Sequence, residues 1–193
     1  MRIILGSQSP RRKEILQNHG VDFEVIVADT DENCATQSPS EFVKTVALEK
    51  LHAVADTLST TDDTLIICAD TAVAIGDEIL GKPTDKDDAR RMIKLLSGNT
   101  HFVVTGVAMQ YGDKIATDFE KTFVTFKDMT DIEIEQYICT NEPYDKAGGY
   151  AVQGKAGSFI TQVDGDYENV VGLPDKLVQK MAKNLTNVDI FKG

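Results

Sequence analysis

The chain of 193 residues has 41% hydrophobic and 26% charged residues, the balance of a globular domain with a sizeable core. Its net charge of -11 argues against binding to nucleic acid over a broad surface, because such binding needs clustered Lys and Arg. No apolar run approaches the roughly 20 residues that a membrane helix needs, and the first residues do not have the pattern of a signal peptide.

The three cysteines lie far apart at Cys34, Cys68 and Cys139. No CxxC pair exists, and an odd count does not suit a disulfide framework. A reducing compartment is therefore expected, which here means the cytoplasm. The three histidines are equally scattered, so no cluster of His and Cys predicts a metal site.

Strand-like and helix-like segments alternate along the chain, which predicts an α/β fold. In chain order, the first half predicts a strand over 2–5, a helix from Pro10 to about His19 with Ser9 as N-cap, a strand over 23–27, a helix behind a capping box at 38–41, a buried strand over 64–69 that ends at Asp70-Thr71, and a hairpin over 72–80.

The second half continues the alternation, with two long hairpin strands at its centre. It predicts a helix capped by Thr84, antiparallel strands over 102–111 and 114–126, a helix capped by Thr130 with Glu133, a loop with a short strand inside over 141–157, a strand over 158–163, and a final helix from Leu173-Pro174. Residues from about Thr186 are expected to fray. The sheet is predicted to be mixed, because helical crossovers give parallel pairs and hairpins give antiparallel ones.

A candidate phosphate site lies at the first strand-to-helix turn. The start of a helix offers backbone N–H groups and a partial positive charge, and Gly6 would let a ligand come close. Arg11 and Arg12 add forked donors that match phosphate oxygens, although Arg opposes the dipole of a first helical turn. The alternative is a capped helix with a solvated basic first turn, and the residues alone leave both interpretations open.

Carboxylates that could hold a cation follow two of the predicted strands. Asp70 is expected at the carboxyl end of its strand, where open α/β sheets bind ligands. An ionised Asp is a weak general base at neutral pH but a good ligand for a hard divalent cation. An acidic cluster with Asp29, Asp31 and Glu32 could supply a second carboxylate. The alternatives are a turn-forming Asp and a solvated acidic loop.

Two lysines and a glycine-rich segment complete the candidates. Lys50 borders the apolar face of its helix, and Lys82 follows the hairpin in Gly81-Lys82-Pro83. Either could reach phosphate, or be an ordinary surface side chain. The segment over 142–154 would let a flat base approach the backbone, and the amide of Gln153 can pair with a pyrimidine edge. Its alternative is a flexible loop.

Taken in order, these segments resemble the Maf proteins over nearly the whole chain. The resemblance begins with an opening block, Ser7-Gln8-Ser9-Pro10-Arg11-Arg12-Lys13-Glu14-Ile15-Leu16. Later blocks match at 69–71, 81–83, 96–98 with His101, 142–148 and 169–174. The resemblance implies a single domain over 1–193 with an α/β fold similar to inosine triphosphate pyrophosphatases, in which a mixed twisted sheet is flanked by helices and two lobes enclose a cleft.

The resemblance also implies an activity: hydrolysis of a nucleoside triphosphate between the α- and β-phosphates, with Mg²⁺ or Mn²⁺ as cofactor. Arg12, Thr71 and Gln153 look like the branch that acts on dTTP and UTP, rather than the 7-methyl-GTP branch. The family is linked to septum inhibition, and its members are often homodimers. The open alternatives are a pyrophosphatase for 7-methyl-GTP or another modified nucleotide, and a non-catalytic nucleotide-binding regulator of cell division.

Residue roles follow from the same resemblance. The implied catalytic residue is Asp70, which with Glu32 would hold the metal. The implied phosphate-binding residues are Ser7, Ser9, Arg11, Arg12, Lys50 and Lys82. The implied partner is a pyrimidine nucleoside triphosphate, with neither nucleic acid nor membrane involved.

Overall fold

The computed structural model describes residues 1–30 and 38–192. The strands in these ranges are β1 (Arg2–Leu5), β2 (Glu24–Val25), β3 (Thr64–Ile75), β4 (Glu78–Leu80), β5 (Thr100–Tyr111), β6 (Lys114–Phe126) and β7 (Ile160–Asp164). The helices are α1 (Pro10–Asn18), α2 (Pro39–Ala55), α3 (Lys86–Leu96), α4 (Asp131–Ile138), α5 (Tyr167–Val171) and α6 (Asp175–Thr186). No helix in the described ranges is long and apolar enough to cross a membrane.

The seven strands form one mixed sheet in the order β2-β1-β3-β5-β6-β7, with β4 paired to β3. β1 is parallel to β2 and β3, whereas the pairs β3–β4 and β6–β7 are antiparallel. The prediction of an α/β fold with a mixed sheet and helices is therefore confirmed.

The chain divides into two compact units. The first comprises Met1–Asp70, Thr105–Glu120 and Gly172–Gly193, and the second comprises Thr71–Val104 and Lys121–Val171. The core of the first unit joins β1, β3 and β5 to one face of α2, through side chains that include Ile4, Leu51, Ile66 and Ala108. The core of the second unit gathers apolar residues of α3, α4, β5 and β6.

The backbones of α2 and β5 approach each other closely in the first unit. A Cβ atom added at Gly106 would lie 2.4 Å from the carbonyl carbon and oxygen of Val43 and 2.6 Å from the amide nitrogen of Lys44. All three atoms belong to the helix backbone and cannot rotate away. Glycine is therefore required at this position of β5 for α2 to pack against the sheet.

Several predicted helix starts use different groups from those expected. The side chains of Ser9 and Ser38 make no capping hydrogen bond, so the predicted capping box at 38–41 is wrong, although both helices begin where expected. Asp85 rather than Thr84 caps α3, because its carboxylate accepts the Asp88 N–H. The capping box of Thr130 with Glu133 is confirmed.

The remaining differences lie where contacts distant in sequence decide the structure. β2 is shorter than predicted, α5 was not predicted, and 141–157 contains short 3-10 turns instead of a strand. The expected fraying after Thr186 is wrong as well. Ile190 is buried, the Phe191 ring stacks on His19 at 4.0 Å, and the Lys192 N–H donates to the His19 carbonyl at 2.9 Å.

Candidate functional site

The turn after β1 is held against β3 in the first unit. β1 pairs with β3 up to Leu5 and Ile67, and the Gly6 N–H then donates to the Ile67 carbonyl at 2.8 Å. A Cβ atom at Gly6 would lie 2.3 Å from Sγ of Cys68, so the close packing requires glycine. Burial raises the pKa of that thiol to about 12, which makes Cys68 a packing group rather than a nucleophile.

Arg12 braces this turn against the neighbouring backbone. Its guanidinium donates from Nη1 to the Ala69 carbonyl at 2.7 Å and from Nε to the Gly172 carbonyl at 2.8 Å. Nη1 also lies 3.3 Å from Oγ of Ser7, which accepts the Ser9 N–H at 3.2 Å. The fork of Arg12 therefore connects the start of α1 to β3 and to the segment that precedes α6.

Arg11 is in a different situation. Its Nε is buried and has no hydrogen-bond partner within the described part of the chain. A buried donor on a cation that lacks a partner costs free energy, roughly 1–3 kcal/mol or more. No acidic residue stands in the first turn of α1, and Ser9 does not cap it. An anion at this turn would satisfy both Arg11 and the first N–H groups, which favours the phosphate interpretation.

Asp70 lies beside the same turn. Its Oδ1 accepts a hydrogen bond from Nζ of Lys50 at 2.7 Å, and the two side chains are 15% and 20% exposed. Lys50 comes from the last third of α2. Because Arg12 contacts the carbonyl of Ala69, the residue before Asp70, the structure brings Ser7, Arg12, Lys50 and Asp70 into one group, called here the edge cluster.

The predicted end of β3 at Asp70 is wrong, because the strand continues through Asp70 to Ile75. Its later residues pair with β4, with Val73 opposite Leu80, and this pairing extends the strand. The carboxyl end of β1 nevertheless lies beside this part of β3, because β1 ends at Leu5 opposite Ile67. Asp70 is thus just beyond the last parallel pair, where the neighbouring strand has turned away.

Of the carboxylates predicted to hold a metal, Asp70 lies in the described part of the chain, whereas Asp31 and Glu32 lie outside it. Within 1–30 and 38–192, no group of three or more His, Cys, Asp or Glu residues could hold an ion. Asp70 offers the hard oxygen donors that suit Mg²⁺ or Mn²⁺, with one of its oxygens bonded to Lys50.

The remaining predicted residues belong to the second unit. Thr71 follows Asp70 within β3, and Lys82 is exposed in the turn after β4. The Gly148 N–H donates to the Gly81 carbonyl at 2.9 Å, and a Cβ atom at Gly149 would lie 3.2 Å from Cγ of Pro83. Both glycines have positive φ, 67° and 72°. The glycine pair thus packs directly on the turn that carries Lys82.

Gln153 follows this glycine pair in an irregular segment. Its side chain is exposed, and its amide has no hydrogen-bond partner among the described residues. Nearby, the Tyr150 hydroxyl lies 2.7 Å from Nε2 of His101, and both side chains are buried. The carboxylate of Glu142 accepts backbone N–H groups from 155 and 156. Sequence reasoning did not single out the role of Glu142, since no local pattern links residues so far apart.

A sequence model of the family described as Maf-like protein matches residues 2–185. The chain belongs to this Maf-like family. The match includes every residue named in the site prediction, Glu32 among them. The family resemblance predicted from the sequence motifs is therefore confirmed.

Relatives of this Maf-like chain in three Bacillus species bear the name dTTP/UTP pyrophosphatase. The protein of Bacillus anthracis (strain CDC 684 / NRRL 3495) is 47% identical over 191 residues, which are 98% of this chain and 97% of the relative. That of Bacillus cereus (strain ATCC 14579) is 45% identical over 190 residues, with 98% and 96% covered. That of Bacillus thuringiensis subsp. konkukian (strain 97-27) is 46% identical over 191 residues, with 98% and 97% covered.

Proposed function

We propose that this Maf-like chain is a nucleoside triphosphate pyrophosphatase that hydrolyses dTTP and UTP to dTMP and UMP with release of pyrophosphate. The edge cluster carries the proposal, because it joins a partly buried carboxylate–lysine pair to a turn at a helix start that Arg12 holds in place. The names of relatives that match 98% of the chain support the choice of substrate.

The turn between β1 and α1 binds the polyphosphate in this proposal. Arg11 supplies a buried donor that has no partner among the described residues, and the first N–H groups of α1 point along the helix axis toward the anion. Ser7 and Ser9 add hydroxyl groups, while Arg12 keeps the turn against β3. Lys82 is assigned to the charge that develops on the leaving pyrophosphate.

Asp70 is the catalytic residue in this proposal. Its contact with Lys50 fixes the orientation of the carboxylate, so that the other oxygen can position a water molecule toward the α-phosphorus. The water oxygen bonds to the α-phosphorus, the bond to the bridging oxygen breaks, and pyrophosphate leaves as the water proton passes to the surroundings. Asp70 and Glu32 would hold the divalent cation, which when bound neutralises phosphate charge and acidifies water.

Base selection is assigned to Arg12, Thr71 and Gln153. The Gln153 amide has both donors and an acceptor, which suit the donor–acceptor edge of uracil or thymine. Its freedom from protein hydrogen bonds within the described ranges leaves the amide available to a nucleobase. A cleft between two lobes, a homodimer, a cytoplasmic location and a part in septum inhibition stay predictions from the family resemblance.

The decisive experiment is pyrophosphate release from a nucleotide panel with Mg²⁺ or Mn²⁺, comparing the unmodified protein with Asp70→Asn. We expect turnover of dTTP and UTP, and a loss of about 100-fold or more in the variant, since a positioning carboxylate is removed. Asp113→Asn is the matched control, because Asp113 is exposed in the β5–β6 turn and should behave like the unmodified protein.

Two outcomes would replace the proposal. A clear preference for 7-methyl-GTP or another modified nucleotide would move the chain to a different substrate branch. Nucleotide binding without pyrophosphate release under either metal would indicate a regulator rather than an enzyme.

A further inference from the structure

The chain over 142–159, called here the anchored segment, has little regular secondary structure. It consists of 3-10 turns at Pro143–Asp145, Ala147–Gly149 and Lys155–Phe159. Gln153 lies between the second and third turns and has no side-chain bond of its own within the described residues. The position of its amide therefore depends on how the backbone on either side is held.

Glu142 holds one side of this backbone. Its Oε2 accepts the Lys155 N–H at 2.9 Å, and its Oε1 accepts the Ala156 N–H at 3.3 Å, so one carboxylate bonds to backbone groups 13 and 14 positions later in the chain, beyond Gln153. A carboxylate is well suited to the first N–H groups of a helical turn, because they have no partner within the turn.

Tyr137 in turn donates a hydrogen bond to the carboxylate of Glu142. The Tyr137 hydroxyl lies 3.2 Å from Oε1 of Glu142 and 3.0 Å from the Gly149 carbonyl. Its single proton is shared between these two acceptors. Tyr137 is buried in the core of the second unit, so the hydroxyl group that bonds to Glu142 belongs to a side chain held by core packing.

The carboxylate of Glu142 leaves no room for a side chain at position 154. A Cβ atom at this position would lie 2.2 Å from Oε1 and 2.6 Å from Cδ of Glu142. The backbone of Gly154 has φ of -97°, which any residue can adopt, so glycine is required there by space rather than by conformation. The residue directly after Gln153 is therefore in van der Waals contact with the anchoring carboxylate.

We infer that Glu142 is a positioning residue for nucleobase selection, acting through the backbone that follows Gln153. The inference rests on the proposed function, since it assigns a base to the Gln153 amide. Under the proposed function, Glu142 contacts neither the phosphates nor the reacting atoms. Its loss should therefore change which nucleotide is preferred more than how fast a saturating nucleotide is cleaved.

Two substitutions perturb the anchor from opposite sides. Glu142→Gln puts an amide N–H₂ where one backbone N–H needs an acceptor, and Gly154→Ala pushes a methyl group into the carboxylate. For both we expect KM for dTTP and UTP to rise about 10-fold, kcat to change less than about 3-fold, and the preference over CTP to fall about 10-fold, as expected from a misplaced contact. Amide hydrogen exchange at 155 and 156 should accelerate about 10-fold.

Glu135→Gln is the matched control, because the Glu135 carboxylate lies on the same unit and pairs with Arg90 and Lys86. It should leave KM, kcat and nucleotide preference unchanged. A purely structural role for Glu142 predicts equal losses for all nucleotides together with a lower melting temperature. Unchanged preference in both anchor variants, in an unmodified protein that hydrolyses dTTP and UTP, would overturn this inference alone. Absence of hydrolysis by the unmodified protein would overturn the proposed function and this inference with it.

Discussion

Asp70 lies within a twelve-residue strand, whereas Gln153 lies among short 3-10 turns. The residues around Asp70 are placed by the register of β1 on β3 and by the packing of α2 on the sheet. Those around Gln153 are placed by side chains that bond to backbone groups. The edge cluster should therefore respond most to changes in backbone packing, and the anchored segment most to the loss of single polar groups.

Among the substitutions that test this difference, Gly106→Ala should lower the free energy of unfolding most. The added methyl group meets the backbone of α2, so we expect a loss of about 3 kcal/mol in the free energy of unfolding, at the upper end of overpacking costs. Urea denaturation gives the measurement. Gly81→Ala is the control, because its Cβ would meet nothing within 4 Å and stability should be nearly unchanged. A tolerated Gly106→Ala would show that helix packing does not set the edge cluster.

His101 bonds to Tyr150 of the anchored segment, and its titration should make the free energy of unfolding depend on pH. Burial lowers the pKa of His101 to about 4 from an ordinary 6.5. The neutral ring contributes stability that is present above pH 6.5 and is lost as the pH falls toward 4, because the unfolded chain takes up the proton first. From pH 7 to 5 the loss is about 2 kcal/mol by this linkage.

His101→Gln should remove this part of the pH dependence, and urea denaturation at both pH values measures it. His52→Gln, at an exposed position of α2, should keep the dependence. An identical slope in His101→Gln and the unmodified protein would contradict the role of the buried ring.

Gly6→Ala tests the turn of the edge cluster. Its methyl group would meet Sγ of Cys68, and we expect a loss of about 1–2 kcal/mol from overpacking. Cys68→Ala removes that sulfur, so the double variant should be more stable than the sum of the single losses predicts, by about 1 kcal/mol. Simple additivity in this double-mutant cycle would place the strain elsewhere.

Tyr137→Phe should have the smallest effect. Deleting the hydroxyl leaves the Gly149 carbonyl and Glu142 with one donor fewer, at a cost of about 1 kcal/mol. Amide exchange should accelerate within the anchored segment and not in β1 or β3. Tyr111→Phe is the control, since its hydroxyl bonds to the exposed Asp63. Acceleration spread over the whole chain would break the distinction between the two regions.

The same distinction explains what the sequence could predict. β1, α2, β6 and the turn at Gly112, where φ is 55°, follow from local patterns and were found close to their observed bounds. The extension of β3 was missed because Asp is disfavoured in strands, and pairing with β4 overrides that preference.

Contacts distant in sequence account for the other differences. The docking of Phe191 on His19 joins the last residues to the end of α1, and Glu142 joins the two ends of the anchored segment. Neither contact produces a periodic pattern in the sequence from which it could be predicted. Of the site, the motif residues Ser7, Arg12, Lys50 and Asp70 were predicted and are grouped in the structure. The difference between the two arginines could not be predicted from the sequence. Arg12 donates to two backbone carbonyls, whereas Nε of Arg11 has no partner among the described residues.

Under the proposed function, the hydrogen bond from the Gly148 N–H to the Gly81 carbonyl links base selection to phosphate binding. It ties the backbone near Gln153 to the turn of Lys82, so substitutions in the two segments should show epistasis. Directed evolution that randomises 153 would then select compensating changes at 81–83, and a new specificity would rarely be reached by one substitution. Libraries that vary both segments together should yield altered variants more often than libraries confined to either.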